Sequence, residues 1–295
     1  MSMDIDTSLS ALFQEGCWVT TTSGLTAIQV ALRCAGIGPG SIVACDPILP
    51  YAALATLSLH ALPVFYECST THPLDPKVKD IGQHATILTS YFGRDPTVDV
   101  PDGCGKIILD RSQCFGPNAY RQSCYATTYS FQSGKFVDCG HGGAICFYGR
   151  DEAHKAIQYI SLGWRRNRND SVDWRIDPTE RSLGISARMS PILESHIITH
   201  SKSYFQKAEL IKESLYTYWE NSDIRSSSYW KQLPSWPWKI PLCEDSHRLA
   251  NCIDHLELQP RTYARYWDCF KPYSSTEPPN ENMMMNPIVC CTPDL

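Results

Sequence analysis

The run Cys17-Trp18-Val19-Thr20-Thr21-Thr22-Ser23-Gly24-Leu25-Thr26-Ala27-Ile28-Gln29-Val30-Ala31-Leu32-Arg33-Cys34-Ala35-Gly36 reads as a strand, a turn of small residues and a helix. Cys17–Thr20 is a short apolar run with β-branched and aromatic side chains, which predicts a strand. Ile28, Leu32 and Ala35 recur at helical spacing and predict a helix over Leu25–Gly36. Gly36-Ile37-Gly38-Pro39-Gly40 then stops it, with residues that tolerate positive φ or cannot continue a helix.

Outward from this unit the same alternation continues. Strands are predicted at Ile42–Cys45, Val64–Tyr66, Ala85–Tyr91, Lys106–Leu109, Tyr125–Phe131 and Ala144–Phe147, and helices at Tyr51–Ala61 and Glu152–Ser161. Alternating strands and helices predict an α/β domain whose mainly parallel sheet is flanked by helices. A long helix from Ser190 to about Glu220 follows, with Pro191 tolerated in its first turn. Beyond it the chain is rich in Pro and Trp, and a small C-terminal α+β domain is expected. The division is drawn at 1–200 and 201–295.

The 295 residues suit a large domain and a smaller one. With 26 basic and 31 acidic side chains the net charge is −5, which opposes a basic nucleic-acid surface. Apolar residues at 43% against 19% charged exclude a disordered chain. The N-terminus has no basic region leading into an apolar run, so no secretory signal is read. Pro47–Tyr66 has no Asp, Glu, Lys or Arg, but its prolines and His60 fit a buried helix entering a buried strand, not a membrane span. A cytoplasmic protein without membrane or nucleic-acid partners is expected. The fourteen cysteines include no C-x-x-C spacing, so reduced, buried thiols are expected. His196 and His200 lack the Glu of a zinc-protease helix and read as a surface pair; no metal site is expected.

Three features fall at strand ends, where open α/β sheets bind ligands. Thr21-Thr22-Ser23-Gly24 exposes a helix N-terminus, which is either an anion site or an ordinary N-cap. Ile107-Ile108-Leu109-Asp110-Arg111-Ser112-Gln113 delivers a carboxylate at the end of an apolar strand, either for a ring nitrogen, ribose or metal, or as a cap of the next turn. Tyr129-Ser130-Phe131-Gln132-Ser133-Gly134-Lys135, followed by Gly140-His141-Gly142-Gly143, places a lysine between two buried-looking strands. An amine in a dry site loses charge and attacks aldehydes. Together the three describe a pyridoxal 5'-phosphate site. Lys135 holds the aldehyde as a Schiff base, Asp110 keeps the pyridine nitrogen protonated, and the Ser23–Thr26 turn with Ser130 holds the phosphate.

At these residues the sequence resembles the DegT-type sugar aminotransferases, fold-type-I pyridoxal phosphate enzymes. The segments that match are Ser23–Leu32, Gly36–Val43, Pro63-Val64-Phe65, Asp110–Gln113, Ser130-Phe131 with Lys135 and Gly140–Gly143, and Gly184-Ile185-Ser186-Ala187-Arg188-Met189. They run from about Leu9 to Lys207. The resemblance implies that Lys135 is the Schiff-base lysine and proton shuttle and that Asp110 pairs with the pyridine nitrogen. It implies Gln113 against the ring near its hydroxyl, Tyr51 stacked on the ring, and Ser23, Gly24, Leu25, Thr26 and Ser130 around the phosphate. It further implies a homodimer with shared active sites, in which Ser186 to Arg188 reach the neighbour's cofactor phosphate. The activity implied is transfer of an amino group, with glutamate as the expected donor, to a keto-sugar, expected to be nucleotide-linked.

The basic loop Trp164-Arg165-Arg166-Asn167-Arg168-Asn169-Asp170 is either solvated or a phosphate-binding loop. In the second case Arg165, Arg166 and Arg168 would hold the acceptor's diphosphate or the donor's carboxylate. The chain departs from the family's pattern at Leu25, where Thr is usual, at His141 in place of Glu, at Ser186 in place of Asn, and in shortened N- and C-terminal ends. Two alternatives follow from these departures. One is a pyridoxal enzyme for a small amino acid or carrier-bound intermediate; the other is a non-catalytic homologue serving as a partner subunit.

Overall fold

The apolar runs of the first 150 residues become one sheet. The computed structural model describes residues 5–46, 49–68, 76–91, 93, 95–96, 100–114, 116, 124–164, 183–221, 240–242, 258–263 and 288–293. The elements, in chain order, are α1 (Ile5–Leu12), β1 (Cys17–Thr21), α2 (Gly24–Cys34), β2 (Ile42–Cys45), α3 (Pro50–Ser58), β3 (Leu62–Phe65), β4 (Glu67–Cys68) and β5 (Pro76–Lys77). They continue with β6 (Ala85–Thr89), β7 (Lys106–Asp110), β8 (Ala126–Ser130), β9 (Gly143–Phe147), α4 (Arg150–Ile160), α5 (Pro191–Asn221), β10 (Ile240–Leu242), β11 (Leu258–Tyr263) and β12 (Ile288–Pro293).

Seven strands form the main sheet in the order β1-β9-β8-β7-β6-β2-β3. Neighbours from β3 to β8 pair in parallel. β9 is antiparallel to both β8 and β1. β6 and β9 are buried at every position, which is why they appear as continuous apolar runs instead of alternating ones. β4 pairs with β5, and β10, β12 and β11 make a separate three-stranded antiparallel sheet.

α2 crosses one face of the sheet. Ala27, Ile28, Val30, Ala31 and Leu32 are buried in it, with Ile108, Ala126 and Ile145 in the same core. Burying a large aliphatic side chain is worth roughly 1.5–3 kcal/mol, so this stripe is what fixes the helix against the sheet. Gly36 ends it at φ 92°, a left-handed conformation that favours glycine. The uncharged stretch resolves into α3 and β3; among the described residues no helix is long and apolar enough to cross a membrane.

The strand register brings distant residues to one edge. Thr21 is opposite Gly143, Gly143 opposite Ser130, Thr128 opposite Asp110, and Asp110 opposite Thr89. The N-terminus of α2 lies along the same edge, because Ser23 bridges to Gly142.

Candidate active site

Ser23 is the N-cap of α2, with an extended backbone. Its Oγ accepts from the Thr26 N–H at 3.1 Å and lies 2.9 Å from Thr26 Oγ1. The Thr22 hydroxyl donates to Thr26 Oγ1 at 3.2 Å. Three hydroxyls thus ring a helix start whose free N–H groups and dipole favour an anion. Two glycines let the backbone close in. A Cβ on Gly24 would meet Ser130 Cβ at 2.7 Å, and one on Gly143 would meet the Ser23 carbonyl carbon at 2.5 Å. Ser130 and the first turn of α2 are therefore in direct contact, although more than a hundred residues separate them.

Asp110 ends β7 and is 3% exposed. Its Oδ1 accepts from the Ser112 N–H at 2.9 Å. Burial pushes the carboxyl above its ordinary range, while the Ser112 bond and then the positive charge of Lys135 pull it back down. Gln113, three residues on, is also buried, whereas Tyr51 is 49% exposed near the start of α3, after β2.

Lys135 is half-buried in the loop between β8 and β9. Ser186 and Arg188 are exposed, on a segment fixed at both sides. The Thr22 N–H donates to the Ala187 carbonyl at 3.0 Å, and the Ala187 N–H donates to the Ile160 carbonyl at 3.0 Å. This brings Ser186 and Arg188 alongside the start of α2. Arg165, Arg166 and Arg168 lie outside the described residues.

Two groups were not singled out in the sequence. The Arg111 guanidinium, fully buried, bonds Asp95, the Gly116 carbonyl and the Tyr129 hydroxyl. The Asp138 carboxylate caps backbone N–H groups in the Lys135 loop. An Asp between Ser133-Gly134 and Gly140 is a turn-capping signal that could have identified the second. Nothing near Arg111 in sequence points to Asp95.

Cys17, Cys34, Cys45, Cys104, Cys114, Cys124, Cys139 and Cys146 are free thiols, and burial pushes Cys45 and Cys114 up to about 12. Among the described residues no three His, Cys, Asp or Glu side chains gather in a metal-binding group. His196 and His200 stack on α5 with ring centroids 4.1 Å apart.

No protein-family model matches the chain. Solved structures do. A DegT DnrJ EryC1 StrS aminotransferase from Brucella abortus superposes with a TM-score of 0.72 at 15% identity, over 98% of this chain and 83% of that one. AtS13 from Actinomadura melliaura gives 0.74 at 14% identity, over 98% and 84%. NtdA from Bacillus subtilis, solved with bound cofactor PMP, gives 0.69 at 17% identity, over 94% and 68%. The chain has the fold of these proteins, which is the fold-type-I aminotransferase architecture expected from its sequence.

Proposed function

We propose that this chain is a pyridoxal-phosphate-dependent aminotransferase that moves an amino group from an amino acid, glutamate first, to a keto-sugar carried on a nucleotide. The observation that carries the reading is the strand register, which lines up the hydroxyl-ringed start of α2, Ser130 and the buried Asp110 at one side of the sheet, with half-buried Lys135 in the loop that leaves Ser130. Those residues fit the cofactor: a helix start after β1 for its phosphate, a buried acid ending β7 and a half-buried lysine in the loop after β8. The fold shared with NtdA, solved with PMP, supports it further.

When bound, pyridoxal phosphate supplies an electron sink for breaking a Cα–H bond. Lys135 Nζ binds the aldehyde end and takes and returns the substrate proton. The Asp110 carboxylate holds a proton on the ring nitrogen. Ser23, Gly24, Leu25, Thr26 and Ser130 bind the phosphate through hydroxyls and backbone N–H groups. Gln113 and Tyr51 orient the ring. Arg165, Arg166, Arg168 and Arg188 neutralise the donor carboxylate or the acceptor diphosphate. The same reading includes a homodimer that shares its active sites, a cytoplasmic location and a division into 1–200 and 201–295.

The test is the visible spectrum of the protein with pyridoxal phosphate, wild type against Lys135→Ala. A band that vanishes in the variant, and bleaches when glutamate is added, supports the proposal. A wild type without the band, or a variant that keeps it, removes the proposal.

A further inference from the structure

The loop that presents Lys135 leaves β8 at Ser130 and rejoins the sheet at Gly143. One carboxylate holds its two sides together. Asp138 Oδ2 accepts from the Gly134 N–H at 2.8 Å and from the Ser133 hydroxyl at 3.3 Å. Asp138 Oδ1 accepts from the Gly140 N–H at 2.9 Å. Gly134 and Gly140 have φ of 81° and 78°, and an added Cβ at either would meet nothing within 4 Å. What those two positions need from glycine is therefore backbone conformation, not space. Glycine has the most freedom to lose on ordering, so an outside restraint matters most there.

The rest of the loop is anchored on its other side. Phe136 and Val137 are 4% and 1% exposed. The Tyr204 hydroxyl on α5 donates to the Asp138 carbonyl at 3.2 Å. Lys135 thus lies between a glycine held by Asp138 and a phenylalanine held by the core.

We propose that Asp138 is a positioning residue for Lys135: by tying Ser133, Gly134 and Gly140 to one carboxylate it fixes where the amine stands. The proposal rests on the pyridoxal phosphate reading. Linking joins Nζ to the aldehyde carbon with loss of one water and no change in oxidation state. Its rate depends on how often the amine occupies the attacking geometry. Binding of pyridoxamine phosphate, which has no aldehyde, depends on the phosphate and ring contacts but not on that geometry.

The experiment uses the full chain freed of cofactor. Pyridoxal phosphate is added, the product is trapped with borohydride, and the modified lysine is mapped by mass spectrometry. Pyridoxamine phosphate affinity is measured in parallel by fluorescence. Asp138→Ala should slow linking at Lys135 tenfold or more, with pyridoxamine phosphate affinity changed less than twofold. Asp138→Asn, which has the same shape but one acceptor oxygen, should fall between Asp138→Ala and wild type. Should Asp138→Ala also lose pyridoxamine phosphate, Asp138→Asn decides: linking slowed threefold at unchanged affinity upholds the proposal. Linking at the wild-type rate in the variant that decides overturns it, as does equal loss of linking and affinity in both variants. A wild type with no trapped adduct at Lys135 instead overturns the cofactor reading, and this inference with it.

Discussion

Arg111 Nε donates to Asp95 Oδ1 at 2.9 Å, with both side chains almost wholly buried, one residue beyond the carboxylate that ends β7. The same guanidinium reaches the Gly116 carbonyl at 2.8 Å and the Tyr129 hydroxyl at 3.3 Å, and Ser90 donates to Asp95 at 2.7 Å. The turn carrying Asp110 and Gln113 is therefore stitched to β8 and to the chain that follows β6. Breaking a buried pair by removing one partner costs roughly 3–5 kcal/mol, because the other charge stays unpaired. Urea melts of Arg111→Met and Asp95→Asn should each show a loss of that order. The double variant should lose clearly less than the sum.

Asp110 gives a stability that depends on pH. Burial raises its pKa in the folded chain, so between the unfolded and folded values the folded state holds the proton more often. Stability therefore falls as pH rises through that window, and the cost is complete above the folded value. Each tenfold loss of acidity amounts to about 1.4 kcal/mol. Asp110→Asn should melt at a higher temperature than wild type at pH 7 without cofactor. The gain should shrink as the pH falls toward the ordinary carboxylate range. The same variant should hold pyridoxal phosphate more weakly.

Gly24 offers a steric test of the anion site. Gly24→Ala drives a methyl into Ser130, and overpacking of that kind costs roughly 1–3 kcal/mol. Affinity for pyridoxamine phosphate should drop tenfold or more by titration. Adding Ser130→Gly removes the Cβ and Oγ that are struck and should restore part of the stability, measured by urea melts.

Ser23→Ala removes the N-cap acceptor of α2 and one of three clustered hydroxyls. A loss of about 1 kcal/mol is expected from the cap alone. Phosphate affinity should fall as well, which an ordinary N-cap would not explain. Isothermal titration with inorganic phosphate separates the two effects.

The central sheet was legible because strands such as β6 and β9 are continuous apolar runs and α2 carries its apolar residues at helical spacing; every strand and helix read in the first 160 residues is present. The ends shifted by one to three residues, as at β6, which stops at Thr89 and not Tyr91, and at α3, which stops at Ser58 and not Ala61. Short α1 and the β4–β5 pair were not read, since eight residues or two make too weak a pattern. Lys135 and Asp110 stand out in the sequence because each follows an apolar strand, Asp110 at the end of β7 and Lys135 in the loop after β8. Asp95 as the partner of Arg111 does not, because that pairing is made through the fold across a connection with no periodicity. The sequence reading groups Gly24 and Ser130 around one phosphate, but not their direct contact, which depends on β9 running antiparallel between β1 and β8.

That last arrangement also governs assembly in time. β1 has one neighbour in the sheet, β9, and more than a hundred residues of chain must be made before it arrives. A ribosome that has released only the segment through β8 presents the first strand unpaired. Closing so long a loop is slow. The bridge from Ser23 to Gly142, and with it the seating of the start of α2, therefore cannot form until the chain through β9 has been made.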